Sequence, residues 1–488
     1  MVRSKSNFAE RRGHMKLFGG VRGRGSATGR QRPAETHPSR AEEPEQPLLR
    51  SQVSQQPFEI DWESVWQREA AARQQAPSAG LSPRPAAPSG QPKGKKAKRK
   101  KKKRRLAKCL VALALLAGLY CVAVFSNIPF IAKWRAIYIE TAMGTMNHQW
   151  LATYFIPPFV IDQVMEGRDQ LEADQAGLAS DWGDSGAAGG EQALTWKKLQ
   201  KVFEEEYPEI DQASLKAYLE KQGDAALDED GYLVIDEAGL EEEGTDIETV
   251  HGDQVLALDT FNGITICKVK GEGFVGRLAI VKDPSQVGVA LAPGYGSVGA
   301  RAADIAEESG AVLVTNASGF YDPEGHGNGG VAHGLVVSGG QRYNDAVAGS
   351  YKTIGIDENN RLYVGSYQQG QYRDAVEFKP ALIVNGEKVV EGSAGWGVQP
   401  RTAIGQTESG SILLLVVDGR APGYSIGCTV GDCADILARY GAVQACNLDG
   451  GSSSIMVYQG REISRPSAAD KTHGRHLPNG IAVYPKKK

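Results

Sequence analysis

Acidic and basic residues lie at the ends of apolar runs in the C-terminal half of the chain. Asp418 closes the run SILLLVV, and Asp449 follows GAVQACNL. Two carboxylates on either side of one bond are what most glycoside hydrolases use at a sugar carbon. Arg401 and Arg420 lie before and after the first run, and a guanidinium can bind phosphate through two N–H groups. Since loops at strand ends often carry functional residues, these four side chains are candidates for acid–base work and anion binding.

The second acid is followed by the turn Gly450–Ser452, in which backbone and hydroxyl groups can approach an anion closely. A simpler interpretation stays open at each position. An Asp-Gly pair after a strand, such as Asp418-Gly419, is often only a turn. Arg401 either binds phosphate or pairs with an acid, and a run of glycine and serine is also typical of a flexible loop.

Histidines add a weaker candidate. His326 and His333 lie in the glycine-rich stretch GHGNGGVAHG. This stretch is either a metal site or a mobile polar loop over the site, and the loop is the default. We predict no cofactor and assign no metal ligand, although assistance by a divalent ion stays open.

Short apolar runs bounded by glycine-rich turns predict the elements that position these residues. Runs such as GRLAIVKD and SILLLVV are strand-like. Ser297–Ser309 and Val430–Tyr440 have the pattern of helices, and each is followed by a glycine that can cap it. Residues 253–488 are therefore predicted to form an α+β (mixed α/β) domain, with a mixed β-sheet flanked by helices.

The N-terminal part has a different composition. Residues 1–108 contain 26 Lys and Arg against 9 Asp and Glu, whereas the remainder contains 29 against 49. Residues 1–105 are poor in apolar runs, which predicts a disordered basic cytoplasmic arm. The next segment, 106–131, is apolar and is predicted to be one transmembrane helix. The charge difference across it predicts a single-pass protein of the cell membrane, with the N-terminus cytoplasmic and the C-terminal domain extracytoplasmic.

The basic run Lys93–Lys108 is expected to attract anionic lipids of the inner leaflet, and no nucleic-acid partner is expected. Residues 132–252 are predicted to be a membrane-proximal and acidic linker region. Within it, Trp134–Met165 is either an amphipathic membrane-proximal helix or a stalk packed on the domain. Thr195–Lys221 has helical periodicity that Pro208 is expected to interrupt. Cysteines on the oxidising side can pair or stay free, and Cys428 and Cys433 are candidates for a disulfide.

Three motifs in the same order resemble the phosphodiester glycosidase family, over about Gly310 to Tyr484. They are Arg401-Thr-Ala-Ile-Gly, Leu414-Leu-Val-Val-Asp-Gly-Arg420 and Asn447-Leu-Asp-Gly-Gly-Ser452. The family's early Asn-Gly-Gly-Phe-like turn is similar to Asn316-Ala-Ser-Gly-Phe320, whose middle differs. In the loop after Asp449, a serine takes the place of the family's third glycine.

The resemblance implies hydrolysis of a glycosyl phosphodiester, in which phosphate is bonded to the anomeric carbon of a sugar. On this basis Asp449 and Asp418 are the predicted catalytic residues, with Asp449 as base or nucleophile. The predicted residues for binding phosphate and substrate are Arg401, Thr402, Arg420, Asn316, Asn447, Gly450, Gly451, Ser452, Arg475 and Asn479.

The sequence as a whole predicts a membrane-anchored extracytoplasmic hydrolase of a bacterial cell envelope, acting on a sugar phosphate of the envelope or of an exopolysaccharide. The alternative is a non-catalytic envelope protein that binds glycan or polymer in the same pocket. A third hypothesis is a scaffold for exopolysaccharide assembly whose working part is the basic arm.

Overall fold

Helices come first along the chain and a domain of strands follows. The computed structural model describes residues 95–182, 203–222, 227–228, 230, 232–240, 244–325, 327–347 and 349–487, all within the unit that begins at Gly94. Most of the predicted arm, and His326, lie outside these residues. The α-helices are α1 Lys95–Phe125, α2 Pro129–Met143, α3 Trp150–Thr153, α4 Pro158–Asp174, α5 Gln212–Gln222, α6 Ala302–Ser309 and α7 Val430–Arg439.

The strands are short and lie mostly within the predicted domain. They are β1 Val234–Asp236, β2 Gln254–Asp259, β3 Ile264–Gly271, β4 Phe274–Val281, β5 Val287–Leu291, β6 Leu313–Asn316, β7 Val336–Ser338, β8 Gln341–Asn344, β9 Lys352–Ile356, β10 Leu362–Gly365, β11 Asp374–Phe378, β12 Ala381–Val384, β13 Glu387–Lys388, β14 Arg401–Thr407, β15 Ile412–Val417, β16 Ala442–Asn447, β17 Met456–Tyr458, β18 Arg461–Glu462 and β19 Asn479–Val483.

These strands form three sheets. A nine-stranded sheet has the order β1-β2-β3-β4-β15-β14-β16-β12-β13. Two five-stranded sheets have the orders β10-β9-β11-β7-β8 and β18-β17-β6-β19-β5. The α+β class is confirmed, but the expected mixed sheet is wrong, because every strand pair among the described residues is antiparallel. Tight turns such as the one between β3 and β4 allow only antiparallel neighbours.

The central strand β15 explains why its sequence is apolar without alternation. Leu414 and Val416 face a core shared by the three sheets, whereas Leu413 and Leu415 face the other side, where α7 covers the nine-stranded sheet. A strand buried on both faces needs apolar residues at every position. This burial fixes the end of β15, and therefore the position of the loop that follows it.

The two predicted helices of the domain are present. Helix α7 matches its predicted range to within one residue, and Thr429 caps its first turn together with Asp432. Helix α6 begins later than predicted, at Ala302, because Ala300 pairs with Leu477 in an isolated bridge. It ends at Gly310, which adopts the left-handed conformation with φ of 69°.

The N-terminal helices precede the strand domain and belong to the same compact unit. Within α1, residues Ala107–Phe125 are long and apolar enough to span a membrane, and 6% of the most apolar stretch is buried. A core helix of a soluble protein of this length would be mostly buried. After α1, a break at residues 126–128 leads into the collar, the name used here for α2, α3 and α4. The collar packs on the domain, and it shares an apolar core with Val124 near the end of α1.

Candidate active site

The ends of four neighbouring strands meet at one edge of the nine-stranded sheet. Because β14 pairs antiparallel with both β15 and β16, and β16 with β12, the starts of β14 and β12 lie beside the ends of β15 and β16. This arrangement brings Asp418, Arg401, Asn447 and Lys379 to the same edge. We call this edge, with the loops around it, the mouth.

The other sheets reach the same mouth through hydrogen bonds. Asn316, the last residue of β6, donates through Nδ2 to the carbonyl oxygen of Asp449 at 2.6 Å. Its Oδ1 accepts from Oγ1 of Thr402 at 2.7 Å and from the backbone N–H of Ile455 at 3.1 Å. Since Asn316 and Thr402 are completely buried, they position the Asp449 loop and do not face the solvent.

Asp449 is the central acid of the mouth. Its backbone N–H donates to the carbonyl of Ala317 at 3.0 Å, which fixes the start of the loop. Burial raises the pKa of its carboxyl to about 6, and the charge of Asp322 adds to that rise, whereas a hydrogen bond with Ser453 and the charge of Arg475 oppose it. A carboxyl of this pKa is mostly ionised at neutral pH and still holds a proton in mild acid.

Arg475 faces this acid from the loop before β19. Its Nη1 donates to Oδ2 of Asp322 at 2.7 Å and to Oγ of Ser452 at 3.2 Å. Its guanidinium carbon lies 4.7 Å from the ring centroid of Phe320. The predicted binding residues Arg475 and Ser452 are thus in contact. Asp322, which was not assigned a role from the sequence, holds Arg475 in place.

Arg420 lies on the other side of the glycine turn, with a left-handed φ of 56°. Its Nη2 donates to Oε1 of Gln399 at 2.7 Å. Gly451 has a φ of 63°, and a Cβ at this position would lie 3.0 Å from Nη2 of Arg420. Burial lowers the pKa of Arg420, and the nearby positive charges of Arg401 and Arg475 lower it further. Arg475 and Arg420 therefore bring positive charge close to Asp449, and Arg401 adds to the charge around Arg420.

Arg401 is itself buried. Its Nη2 donates to the carbonyl oxygens of Trp396 at 2.6 Å and Gly397 at 2.9 Å, and its Nε donates to that of Cys428 at 3.4 Å. Burial lowers the pKa of this guanidinium. Its contacts hold the segment before β14, so its charge reaches the mouth through space.

Asp418 has a different environment from Asp449. Its Oδ2 accepts from Nη1 of Arg277 at 3.1 Å and from the hydroxyl of Tyr424 at 2.8 Å, and its Oδ1 accepts from the backbone N–H of Arg465 at 2.8 Å. Asp418 and Arg277 are 2% and 1% exposed. Burial raises the pKa of Asp418, against the opposing charge of Arg277. Both carboxyl oxygens are thus bonded within the protein.

Two further predicted residues are buried asparagines. Asn479 accepts from the backbone N–H of Ser318 and donates to its hydroxyl, both at 3.0 Å, which ties β19 to the loop after β6. Asn447 donates through Nδ2 to the carbonyl of Lys379 at 3.0 Å, whereas its buried Oδ1 has no protein partner. An unpaired buried acceptor is unusual, and it gives the mouth one amide oxygen able to receive a hydrogen bond.

A second wall of the mouth was missed in the sequence. Burial raises the pKa of Tyr351, and the charge of nearby Asp449 adds to that rise. Nζ of Lys379 lies 5.1 Å from the Tyr351 ring and 2.8 Å from Oε2 of Glu172 in α4. In the same wall, the guanidinium carbon of Arg168 lies 4.1 Å from the ring of Trp396. These residues are far apart in sequence and carry no motif, so the fold alone brings them together.

The remaining candidates contribute less. His333 donates from its backbone to Gly319 at 2.7 Å, and its ring lies 5.2 Å from that of Tyr351. Over the described ranges, no group of three or more His, Cys, Asp or Glu side chains is arranged to hold a metal ion. Cys428 and Cys433 are buried free thiols whose sulfurs lie 3.4 Å apart.

A glycine pattern of the dinucleotide-binding spacing, Gly294 to Gly299, joins β5 to α6. The backbone N–H groups that would hold a pyrophosphate are already bonded: Gly296 donates to Gly330 at 2.7 Å and Gly299 to Asn328 at 3.0 Å. The pattern therefore serves close packing of two loops.

The strand ends of this α+β domain place one acid of raised pKa beside Arg475 and Arg420, an arrangement that can bind an anion and perform acid–base chemistry. Residues 309–484 match the family model described as phosphodiester glycosidase. The resemblance predicted from the sequence is confirmed.

Known proteins are similar over part of the chain. Bovine N-acetylglucosamine-1-phosphodiester alpha-N-acetylglucosaminidase is 28% identical over 220 residues, which are 39% of this chain and 40% of that protein. An uncharacterised protein from the SPbeta prophage of Bacillus subtilis is 27% identical over 33% of this chain and 27% of its own length. The chain thus matches less than half the length of either curated relative.

Two solved structures are also similar. One is the zebrafish N-acetylglucosamine-1-phosphodiester alpha-N-acetylglucosaminidase catalytic domain auto-inhibited by its pro-peptide, with 19% identity and a TM-score of 0.37 over 46% of this chain and 82% of that one. The other is a hypothetical protein from Synechocystis, with 17% identity and a TM-score of 0.36 over 49% and 65%.

Proposed function

We propose that this chain is a membrane-anchored hydrolase that cleaves a glycosyl phosphodiester between the anomeric carbon of a sugar and a phosphate oxygen. The match to the phosphodiester glycosidase family model supports the reaction class. The observation that carries the proposal is Asp449, a carboxyl with a pKa of about 6 in a mouth of positive charge. The proposed substrate is a sugar phosphate of a bacterial cell envelope or exopolysaccharide.

Asp449 is the proposed base or nucleophile. A phosphodiester leaves as a weakly basic anion, so the reaction needs little help from a general acid. The C–O bond to phosphate breaks and its electron pair leaves with the phosphate. The anomeric carbon receives the oxygen of water, either directly with the proton passing to Asp449, or after a covalent bond to Asp449 has formed and been hydrolysed.

The arginines are proposed to bind the phosphate. Arg475 and Arg420 lie on either side of the Asp449 loop, and positive charge held in place before the reaction stabilises the departing anion. The hydroxyl of Ser452, 3.2 Å from Arg475, adds a hydrogen-bond donor. Asp418, proposed from the sequence as the second carboxylate, has contacts that favour a positioning role, because its oxygens are bonded to Arg277, Tyr424 and Arg465.

The membrane anchor is part of the proposal. Ala107–Phe125 would rise about 28 Å as a helix, close to the thickness of a bilayer core of about 30 Å. The basic run before it supports an orientation with the N-terminus in the cytoplasm and the domain outside. Anionic inner-leaflet lipids are the proposed partners of that run.

The test follows sugar release by the full-length protein in detergent from a panel of sugar-1-phosphodiesters in ¹⁸O-labelled water, with and without a chelator. We expect the label to enter the sugar and not the phosphate, because the proposal places bond cleavage at the anomeric carbon. Asp449→Asn is expected to abolish release, whereas Asp435→Asn, on the exposed face of α7, should retain it. Label in the phosphate would refute the glycosidase mechanism.

The alternative function makes a different prediction for the same samples. A non-catalytic glycan-binding protein would bind a sugar phosphate without consuming it, and Asp449→Asn would then change affinity alone. Binding by calorimetry without release from any substrate would favour that alternative over hydrolysis.

A further inference from the structure

Helix α2 exposes large aromatic residues along one face, which is unusual for a surface helix in water. Phe130, Trp134 and Tyr138 follow one another at intervals of four residues, and they are 43% to 71% exposed. On another face of the helix, the charged residue Glu140 is only 5% exposed, because that face lies against the domain. A surface helix in water normally shows the opposite distribution of apolar and charged residues.

The rest of the collar extends this apolar stripe. The large hydrophobic residues of α3, α4 and their connections that share it are 48% to 79% exposed. Isolated exposed hydrophobic residues are ordinary, but a contiguous patch indicates an interaction surface. The aromatic face of the collar is defined as Phe130, Trp134, Tyr138, Met146, Trp150, Tyr154, Phe155 and Phe159.

The aromatic face is continuous with the apolar surface of α1. Phe125, at the end of α1, stacks on Phe159 with ring centroids 6.2 Å apart. The hydroxyl of Tyr120 donates to the carbonyl of Phe155 at 2.7 Å, and Arg135 donates to that of Ser126 at 2.8 Å. The exposed aromatic residues therefore begin where the apolar span ends, which is the position of the aromatic belt in membrane proteins.

The opposite side of the collar forms part of the mouth. Gln399 donates through Nε2 to the carbonyl of Thr141 in α2 at 2.9 Å, and its Oε1 accepts from Arg420 at 2.7 Å. Gly397 lies so close to α2 that a Cβ there would be 2.5 Å from the backbone nitrogen of Thr141. The salt bridge between Glu172 and Lys379 joins α4 to the second wall. The collar thus connects the end of α1 to the substrate-binding loops.

We propose that the aromatic face of the collar lies in the outer surface of the bilayer and holds the mouth beside it, where the substrate is a glycosyl phosphodiester anchored to a lipid. The first half of this proposal concerns the membrane as partner. The second half rests on the proposed function and names the substrate class for that site. A helix that lies in the membrane interface in this way buries its aromatic rings at the level of the headgroups.

The membrane contact can be tested without any catalysis. The full-length protein is placed in nanodiscs made with lipids brominated near the headgroup end of the acyl chain, which quench tryptophan at short range. We expect the quenched fraction of fluorescence to fall strongly in the double variant Trp134→Phe, Trp150→Phe. Trp182→Phe is the matched control, because Trp182 donates to Leu362 within the domain.

An unchanged quenched fraction in the double variant would overturn the proposal. The competing occupant of the aromatic face is a second copy of this chain. In that case the protein outside nanodiscs would be a dimer in light scattering, and Trp134→Glu would dissociate the dimer. The quenching would also be absent. This outcome would overturn the proposal as well.

The substrate class is tested with one glycosyl phosphodiester in two forms, a lipid-anchored form in the same nanodisc and a short water-soluble form. The double variant Trp134→Glu, Tyr154→Glu is expected to raise KM for the lipid-anchored form about tenfold, the change that a loss of about 1.4 kcal/mol of binding produces. The soluble form should be hydrolysed with unchanged kcat/KM. Val250→Glu, at an exposed apolar residue outside the collar, is the matched control.

Equal effects on the two forms would overturn the substrate class. If the protein hydrolyses neither form but the quenching result is as expected, the proposed function is wrong and the proposed membrane contact of the aromatic face is retained. These results separate the failure of one proposal from that of the other.

Discussion

Replacing Asp449 by Asn should stabilise the protein at neutral pH while abolishing turnover. Burial raises the pKa of this carboxyl from 3.8 to about 6, so the folded protein holds the proton more tightly than the unfolded chain does. Above pH 6 the folded protein carries the charge in an unfavourable place. Well below the unfolded pKa of 3.8 the group is protonated in both states, and the difference disappears.

The magnitude follows from the two pKa values. The folded and unfolded pKa values differ by about two, and each pKa unit corresponds to about 1.36 kcal/mol. The ionised carboxyl therefore lowers the free energy of unfolding by about 3 kcal/mol at pH 7. Because Asp449 is only partly buried, solvent screening reduces this to about 1 to 3 kcal/mol. Asparagine keeps the size of the side chain and still accepts the hydrogen bond from Ser453, so the change isolates the charge.

The assay is thermal unfolding of the full-length protein in detergent at pH 7.5 and pH 4. Asp449→Asn is expected to unfold at a higher temperature than the wild type at pH 7.5, and this gain should be much smaller at pH 4. The control Asp470→Asn should have the opposite sign, because hydrogen bonds from the backbone of His473 and from Arg301 hold the pKa of Asp470 below its usual range. A lower Tm for Asp449→Asn at pH 7.5, or an equal gain at both pH values, would refute the reasoning.

Three further predictions concern the same mouth. In wild-type protein, kcat/KM should fall about tenfold for each pH unit below 6, because protonation removes the carboxylate of Asp449; a pH–rate profile measures this. Asp418→Asn should change kcat per folded molecule little, because both carboxyl oxygens of Asp418 are bonded within the protein; steady-state kinetics, with the folded fraction taken from a denaturant titration, measure this. Gly451→Ala should lower kcat/KM about tenfold in steady-state kinetics, because the methyl group would displace Arg420 and strain a left-handed backbone.

The sequence predicted the parts of the fold that depend on local pattern. Helix α7 and the strand β15 follow from continuous local signals, an amphipathic period ending at Gly441 and an apolar run ending at Asp418. The antiparallel arrangement was not predicted, because strand pairing depends on contacts between distant segments. For the same reason Tyr351, Lys379 and Glu172 were missed, since the salt bridge that joins Glu172 of α4 to Lys379 connects segments 207 residues apart.

The two acids show most clearly where sequence reasoning stops. Asp418 and Asp449 each follow an apolar strand of the same sheet, and each precedes a glycine. Their environments differ because β15 pairs with β4 in a register that sets Val416 opposite Arg277. Alternate residues of a strand share a face, so Asp418 lies on the face that carries Arg277, and a shift of one residue would separate them. No pattern near Asp418 encodes that register. Asp449 leaves β16 beside a loop whose nearest cation, Arg475, is already shared with Asp322 and Ser452. One carboxyl is therefore bound into an ion pair, whereas the other keeps a pKa near neutrality and is available for chemistry.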